Sequence, residues 1–255
     1  MLDQLIYTRC SPHRDLKNKG QVVRGDGFGV FSMSPELFSN KRISNYDFLQ
    51  ARLAIQNGAK ETSPVGLFNS YEYSIVAPGV YVLSYEVARP HCKIPRANGQ
   101  GHRTGTYIKQ SFVGNIEGYP TEWFGASEWN AHRKSENDYY LDNDPNAAPA
   151  LLSQVSSTPT NGYINTSVIK KFVSDGRTDA VKAGIWFLLQ EFGKDEGERK
   201  VLLIKDVPSN VELWIAAIEY GFSAAMAQKI TFTTNRSKLG TQADSILFYY
   251  TDDSG

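Results

Sequence analysis

Short apolar runs alternate with polar ones along this chain, and the period of the alternation changes past its middle. Leu5 to Arg9 predicts a first strand, and Gly27 to Ser32 predicts a second. Ser34, Pro35 and Glu36 supply a cap, a proline at the first helical position and an acid in the first turn, so a helix should start there. Tyr46 to Ile55 places apolar residues at Tyr46, Phe48, Leu49, Leu53 and Ile55, the spacing of a helix that Asn57-Gly58 would stop. Two runs rich in Tyr, Val, Ile and Leu, Gly66 to Ser74 and Val80 to Val87, flank Ala77-Pro78-Gly79 and predict a hairpin. Tyr107 to Val113 begins another strand, and Tyr119 to Phe124 reads as a turn leading to an apolar anchor.

Residues 130–165 break the pattern with His132 to Asp138, Asp142-Asn143-Asp144-Pro145 and Ser156 to Gly162, the composition of a linker or long surface loop. Beyond them the helical period dominates. Thr166 to Val173 predicts a short helix. Asp179 to Phe192 predicts a long one carrying Val181, Ile185, Trp186, Leu188, Leu189 and Phe192. Lys200 to Lys205 reads as a compact buried strand. Pro208 to Tyr220 predicts a helix with Val211, Trp214, Ile215 and Ile218 on one face. Ser223 to Lys229 adds a short helix, and Lys229 to Thr234 and Ser245 to Tyr250 add two strands. A sheet-rich first half followed by alternating helix and strand is an α+β fold. The expected organisation is a sheet-rich lobe over 1–130, a loop or linker over 131–165 and a helix/strand lobe over 166–255, with one continuous domain as the alternative.

Composition narrows the class. With 255 residues, 41 % hydrophobic and 21 % charged, the chain can bury a full core like an ordinary globular protein. The 14 Tyr and 13 Phe favour sheet. Lys+Arg and Asp+Glu balance at 27 each, so no global field draws the chain to nucleic acid or an anionic membrane. A contiguous basic face built from Arg42, Arg52, Arg89, Lys93, Arg96 and Arg103 would be needed to reverse that. Cys10 and Cys92 form neither a metal spacing nor a disulfide framework, which fits a reduced cytoplasmic setting. The opening Met1 to Ile6 lacks the basic and apolar regions of a signal peptide, and no run is long enough to span a bilayer. Thr251 to Gly255 follows directly on a strand-like run, which suggests a longer native chain.

No Walker loop, zinc spacing, nucleophile elbow or dinucleotide fingerprint is present. Gly25 to Gly29 is glycine-rich but lacks the Lys-Ser/Thr that holds phosphates, so a strand-entry turn explains it better. His13, His91, His102 and His132 share no helical face at metal-ligand spacing, so neither metal nor cofactor is expected. A Cys-His pair between Cys10 or Cys92 and His102 needs a geometry that sequence order does not supply. Polar residues concentrate at Tyr7 and Arg9, at the end of the first strand, and at Gly101 to Tyr107. There Arg103 can grip a carboxylate bidentately and Gly105 allows close backbone approach. The candidate binding set is therefore Tyr7, Arg9, His102, Arg103, Gly105 and Tyr107. The plainer alternative is a hairpin loop whose arginine pairs with a surface acid. Trp123, Trp129, Trp186 and Trp214 each lie among apolar neighbours, so the core is their expected place; exposed, they would be contact hot spots.

Several of these pieces occur in one order that resembles the N-terminal domain of the bacterial GTPase-associated protein family. They are Asp3 to Cys10, Gly27 to Val30, the Ser32 to Pro35 corner, Arg103-Thr-Gly105-Thr-Tyr107, the Trp123 to Trp129 stretch, and Trp214 through Ala224 to Thr234. Where that family's strand entry often continues to a histidine, this chain has Lys109-Gln110. The resemblance implies an adaptor or regulatory part of a bacterial conflict (immune, antiviral defence) system, acting in the cytoplasm. It implies a protein partner, a GTPase or AAA+ ATPase, and brings no catalytic set. The rival expectation is an enzyme or nucleotide sensor using His102, Arg103 and Tyr107.

Overall fold

A sheet that draws strands from both halves of the chain organises the molecule. The structure, a computed structural model, describes residues 1–10, 14–15, 21–22, 27–39, 69–89, 94–95, 102–103, 106–131, 152–234 and 246–249. The predicted helix at Tyr46 to Ile55 lies outside them. The strands are β1 (Asp3–Cys10), β2 (Arg14–Asp15), β3 (Gln21–Val22), β4 (Gly27–Met33), β5 (Ser70–Ala77), β6 (Val80–Arg89), β7 (Ile94–Pro95), β8 (His102–Arg103), β9 (Thr106–Gly114), β10 (Leu202–Lys205), β11 (Phe232–Thr233) and β12 (Ile246–Tyr249). Among the described residues eight of them form one sheet in the order β10-β12-β11-β5-β6-β9-β1-β4. The five strands from β5 to β4 are antiparallel, β11 joins β5 antiparallel, and β11, β12 and β10 run parallel to one another. With the helices below, this is the α+β fold that the change of period implied.

The β5–β6 hairpin turns at Pro78-Gly79, where φ of Gly79 is +72°, a backbone state that glycine enters without Cβ strain. The helices are α1 (Pro35–Ser39), α2 (Thr166–Ser174), α3 (Thr178–Phe192), α4 (Pro208–Glu219) and α5 (Ala224–Ala227). Asn165 caps α2 by accepting from the backbone N–H groups of Ser167 and Val168 at 3.0 and 3.1 Å. Pro208 opens α4 at a position where a missing N–H costs nothing.

The core lies between one face of the sheet and α2, α3 and α4. Tyr71, Tyr73, Leu83 and Phe112 project from the sheet onto Trp123, Phe124 and Trp129, and Ile169, Leu188, Val211, Ile215 and Ile218 close it from the helices. Trp129 stacks on Phe112 with ring centroids 4.2 Å apart and donates Nε1–H to the Trp123 carbonyl at 2.6 Å. Gln110 fixes the segment around Trp129 by using both ends of its amide. Its Nε2 donates to Gln4 Oε1 and the Glu128 carbonyl, and its Oε1 accepts from the N–H groups of Asn130 and Ala131. Residues 152–165 carry little regular structure, yet they are stitched to the sheet and its turns. Leu2 and Val155 exchange two backbone hydrogen bonds, Ser157 accepts from Glu117 N–H, and Tyr163 N–H donates to the Phe124 carbonyl.

A short 3-10 turn at Pro120–Trp123 presses against the end of α4. Thr121 donates its N–H and its Oγ1–H to Glu219 Oε2 at 3.2 and 2.7 Å. Glu219 is fully buried, and its Oε1 has no hydrogen-bond partner. Burial pushes this carboxyl up to about 8, with the charge of nearby Glu122 adding to the effect. Glu122 is held separately, by Tyr220 Oη–H at 3.2 Å and Tyr119 N–H at 3.3 Å.

Two expectations are corrected. β10 is an edge strand of the sheet, not a buried one, and Leu203 on it is 52 % exposed. Trp123 and Trp129 are core residues and Trp214 is half-buried, but Trp186 is 64 % exposed.

Candidate functional site

The described residues among those singled out in the sequence fall into two places. Tyr7 lies on β1, opposite Lys109 of β9 and Val30 of β4, and is buried. Arg9 follows on the same strand, opposite Phe28. Tyr107 lies on β9 opposite Ala88 of β6, so Tyr7, Arg9 and Tyr107 occupy the same end of two neighbouring strands. His102 and Arg103 form β8, which pairs with Pro95 and Ile94 of β7 in a separate two-stranded ribbon. Gly105 lies outside the described residues.

Strand alternation sends one set of side chains away from the aromatic core, and this second face mixes buried polar with buried apolar residues. Across β11, β5, β6, β9 and β1 a row runs Thr233, Glu72, Ser84, Ser111, Leu5 in register. A second row runs Ser70, Glu86, Lys109, Tyr7. Lys109, at 0 % exposure, reaches diagonally to Glu72 Oε2 at 2.6 Å, and Ser84 Oγ and Ser111 Oγ share a hydrogen bond of 2.8 Å. Two ions taken out of water are tolerable only when they meet each other at hydrogen-bond distance. The pair therefore acts as an internal tie across β5, β6 and β9. Sequence reasoning passed over it because Ser, Glu and Lys alternating with Tyr and Leu ordinarily mark a face turned to water.

The outward-facing feature is on α3. This helix buries Val181, Gly184 and Leu188 against α4 and β10. Gly184 permits the approach, since a Cβ there would stand 2.9 Å from Ile218 Cδ1 and 3.4 Å from Leu202 Cδ2. Gly221 does the same at the end of α4, where a Cβ would lie 2.2 Å from Ile185 Cδ1. So α3 is held tightly on its inner side. Its outer side presents Trp186, and Leu189 three residues on at 47 % exposure, beside exposed Lys182 and Gln190. An apolar centre with a polar rim on a rigid element is the anatomy of a protein contact. Covering a large apolar side chain stabilises a complex by on the order of 2 kcal/mol, and tryptophan is the residue type most often dominant in such contacts.

No family model, curated protein or solved structure matches this chain. Among the described residues no group of His, Cys, Asp and Glu could hold a metal ion, and no helix is long and apolar enough to cross a membrane.

Proposed function

We propose that this chain is a non-enzymatic adaptor or regulatory domain that binds a protein partner through the outer face of α3. The observation that carries the reading is Trp186, two-thirds exposed on a helix whose opposite side is locked by close glycine contacts. The backbone beneath such a side chain needs no ordering when it is covered, so less of its burial energy is lost on binding. The resemblance of residues 3–250 to the GTPase-associated family supports a bacterial cytoplasmic conflict system as the setting and a GTPase or AAA+ ATPase as the partner.

The test is titration calorimetry of the purified chain against a GTPase encoded beside it, loaded with GDP or with a non-hydrolysable GTP analogue. Trp186→Ser should weaken the complex at least about tenfold, the loss typical of a central tryptophan contact. Leu189→Ser should weaken it less. Equal affinity of Trp186→Ser and the unaltered chain, or no complex in either nucleotide state, overturns the reading.

A further inference from the structure

Three tyrosines and one carboxylate converge where β5 and β6 meet the segment before α2 and the second turn of α4. Tyr71 and Tyr85 stack with centroids 4.4 Å apart, and Trp129 stands 6.0 and 5.7 Å from them. Tyr71 Oη accepts from Gly125 N–H at 3.0 Å, and the Asn69 side chain bonds to Tyr85. Tyr163 donates its Oη–H to Glu212 Oε2. Burial first, and the negative charge of Glu212 as well, hold all three phenols protonated.

The site is built rather than accidental. Gly125 has φ of +73°, and a Cβ there would stand 2.7 Å from Tyr163 Cδ1, so the ring lies directly on that glycine. A Cβ on Gly162 would fall 1.9 Å from the Glu122 carbonyl oxygen, so only glycine lets the segment sit this close. Tyr163 nevertheless remains 41 % exposed, and Asn69 is exposed, so the cluster reaches the surface.

Glu212 is half-buried, and burial raises its carboxyl, opposed by the hydrogen bond from Tyr163. Among the described residues no basic side chain is paired with it. A desolvated carboxylate edged by phenol oxygens and aromatic rings lacks one thing, a compact cation that donates hydrogen bonds. An alkylammonium group has three donors and no acceptor, and it is attracted both to a carboxylate and to aromatic rings. We propose that this cluster binds an ammonium group, R–NH3+, carried by a free amine or by a lysine side chain, with Glu212 as counter-ion and the half-buried Tyr85 and the exposed Tyr163 beside it. None of these residues lies on α3, so the proposal stands or falls separately from the docking of Trp186.

The experiment is calorimetric or NMR titration of the whole chain at fixed ionic strength with n-butylammonium chloride, with Nα-acetyl-lysine methylamide, and with sodium chloride as control. Saturable binding of the amines and none of sodium is expected. Glu212→Gln should weaken binding about tenfold or more, the loss of a partly desolvated ion pair. Tyr163→Phe keeps the ring and frees Glu212 Oε2, so it should bind as tightly as the unaltered chain or tighter. Tyr163→Ala should bind more weakly. A stronger response to the lysine derivative assigns the site to a partner's lysine, and an equal response assigns it to a small amine. Absence of saturable binding by the unaltered chain, undiminished binding by Glu212→Gln, or abolition by Tyr163→Phe overturns the proposal.

Discussion

Replacing Glu219 by Gln should change how the stability of this fold depends on pH. The carboxyl sits wholly inside the molecule, is held by Thr121 through Oε2 alone, and is pushed from an ordinary 4.5 up to about 8. In the folded chain it therefore keeps a proton that the unfolded chain releases. Below 4.5 both states hold the proton and nothing is lost. Between there and about 8 only the folded state holds it, so stability falls as pH rises. Each pH unit in that window removes about 1.4 kcal/mol. The full cost, present above the upper value, is therefore about 3 to 5 kcal/mol. Gln keeps a carbonyl oxygen for the two Thr121 donors and carries no titrating proton. Urea unfolding of both chains at about pH 5.5, 7 and 8.5 measures the difference. The advantage of Glu219→Gln should grow steadily across the three. If the two stability curves run parallel from the lowest pH to the highest, Glu219 does not hold its proton in the fold, and the account of that contact is wrong.

Other outcomes follow from contacts already described. Lys109→Ala removes the cation bonded to buried Glu72 and should cost about 3 to 5 kcal/mol in urea unfolding, whereas Lys109→Met with Glu72→Leu should recover most of it. A loss below about 1 kcal/mol for the single change would contradict the buried pair. Gly162→Ala forces a Cβ into the Glu122 carbonyl and should lower stability by at least about 2 kcal/mol, read as a drop in Tm. Trp186→Ser should leave stability within about 0.5 kcal/mol, since its ring faces water; a larger loss would mean that the ring supports the fold.

Much of the scaffold was legible because strand and helix periods depend on nearest neighbours. The Tyr- and Val-rich runs at β5 and β6 needed only Pro78-Gly79 between them to declare a hairpin. The spacing of Val211, Ile215 and Ile218 declared the buried side of α4. What local pattern could not supply was strand order and cover. The run Leu202 to Ile204 looks the same at an edge as in a centre, so β10 was misplaced. On α3 the apolar residues spread around most of the circumference, from Val181 through Trp186 to Leu189. Only the position of α4 and β10 decides which of them remain wet. Lys109, Glu72, Ser84 and Ser111 drew no attention as a group in the sequence because alternation reports two faces and not what lies over each. Of the candidate binding set, the fold brings the backbone positions of Tyr7, Arg9 and Tyr107 together and carries His102 and Arg103 on a different ribbon. The Tyr163–Glu212 cluster joins residues from four separate stretches of chain, a juxtaposition no spacing rule anticipates.

The strand order has a consequence for biosynthesis. β12 comes after β10 and β11 in the chain yet is inserted between them, and it is the one sheet neighbour of β10 among the described strands. While a ribosome is still making residues before Ile246, β10 has been synthesised but has no rung to hold, and the nascent sheet stops at β11. The Leu202-Leu203-Ile204 backbone must therefore wait without its β12 partner through more than forty further codons, held only by side-chain packing such as that of Leu202 on α3.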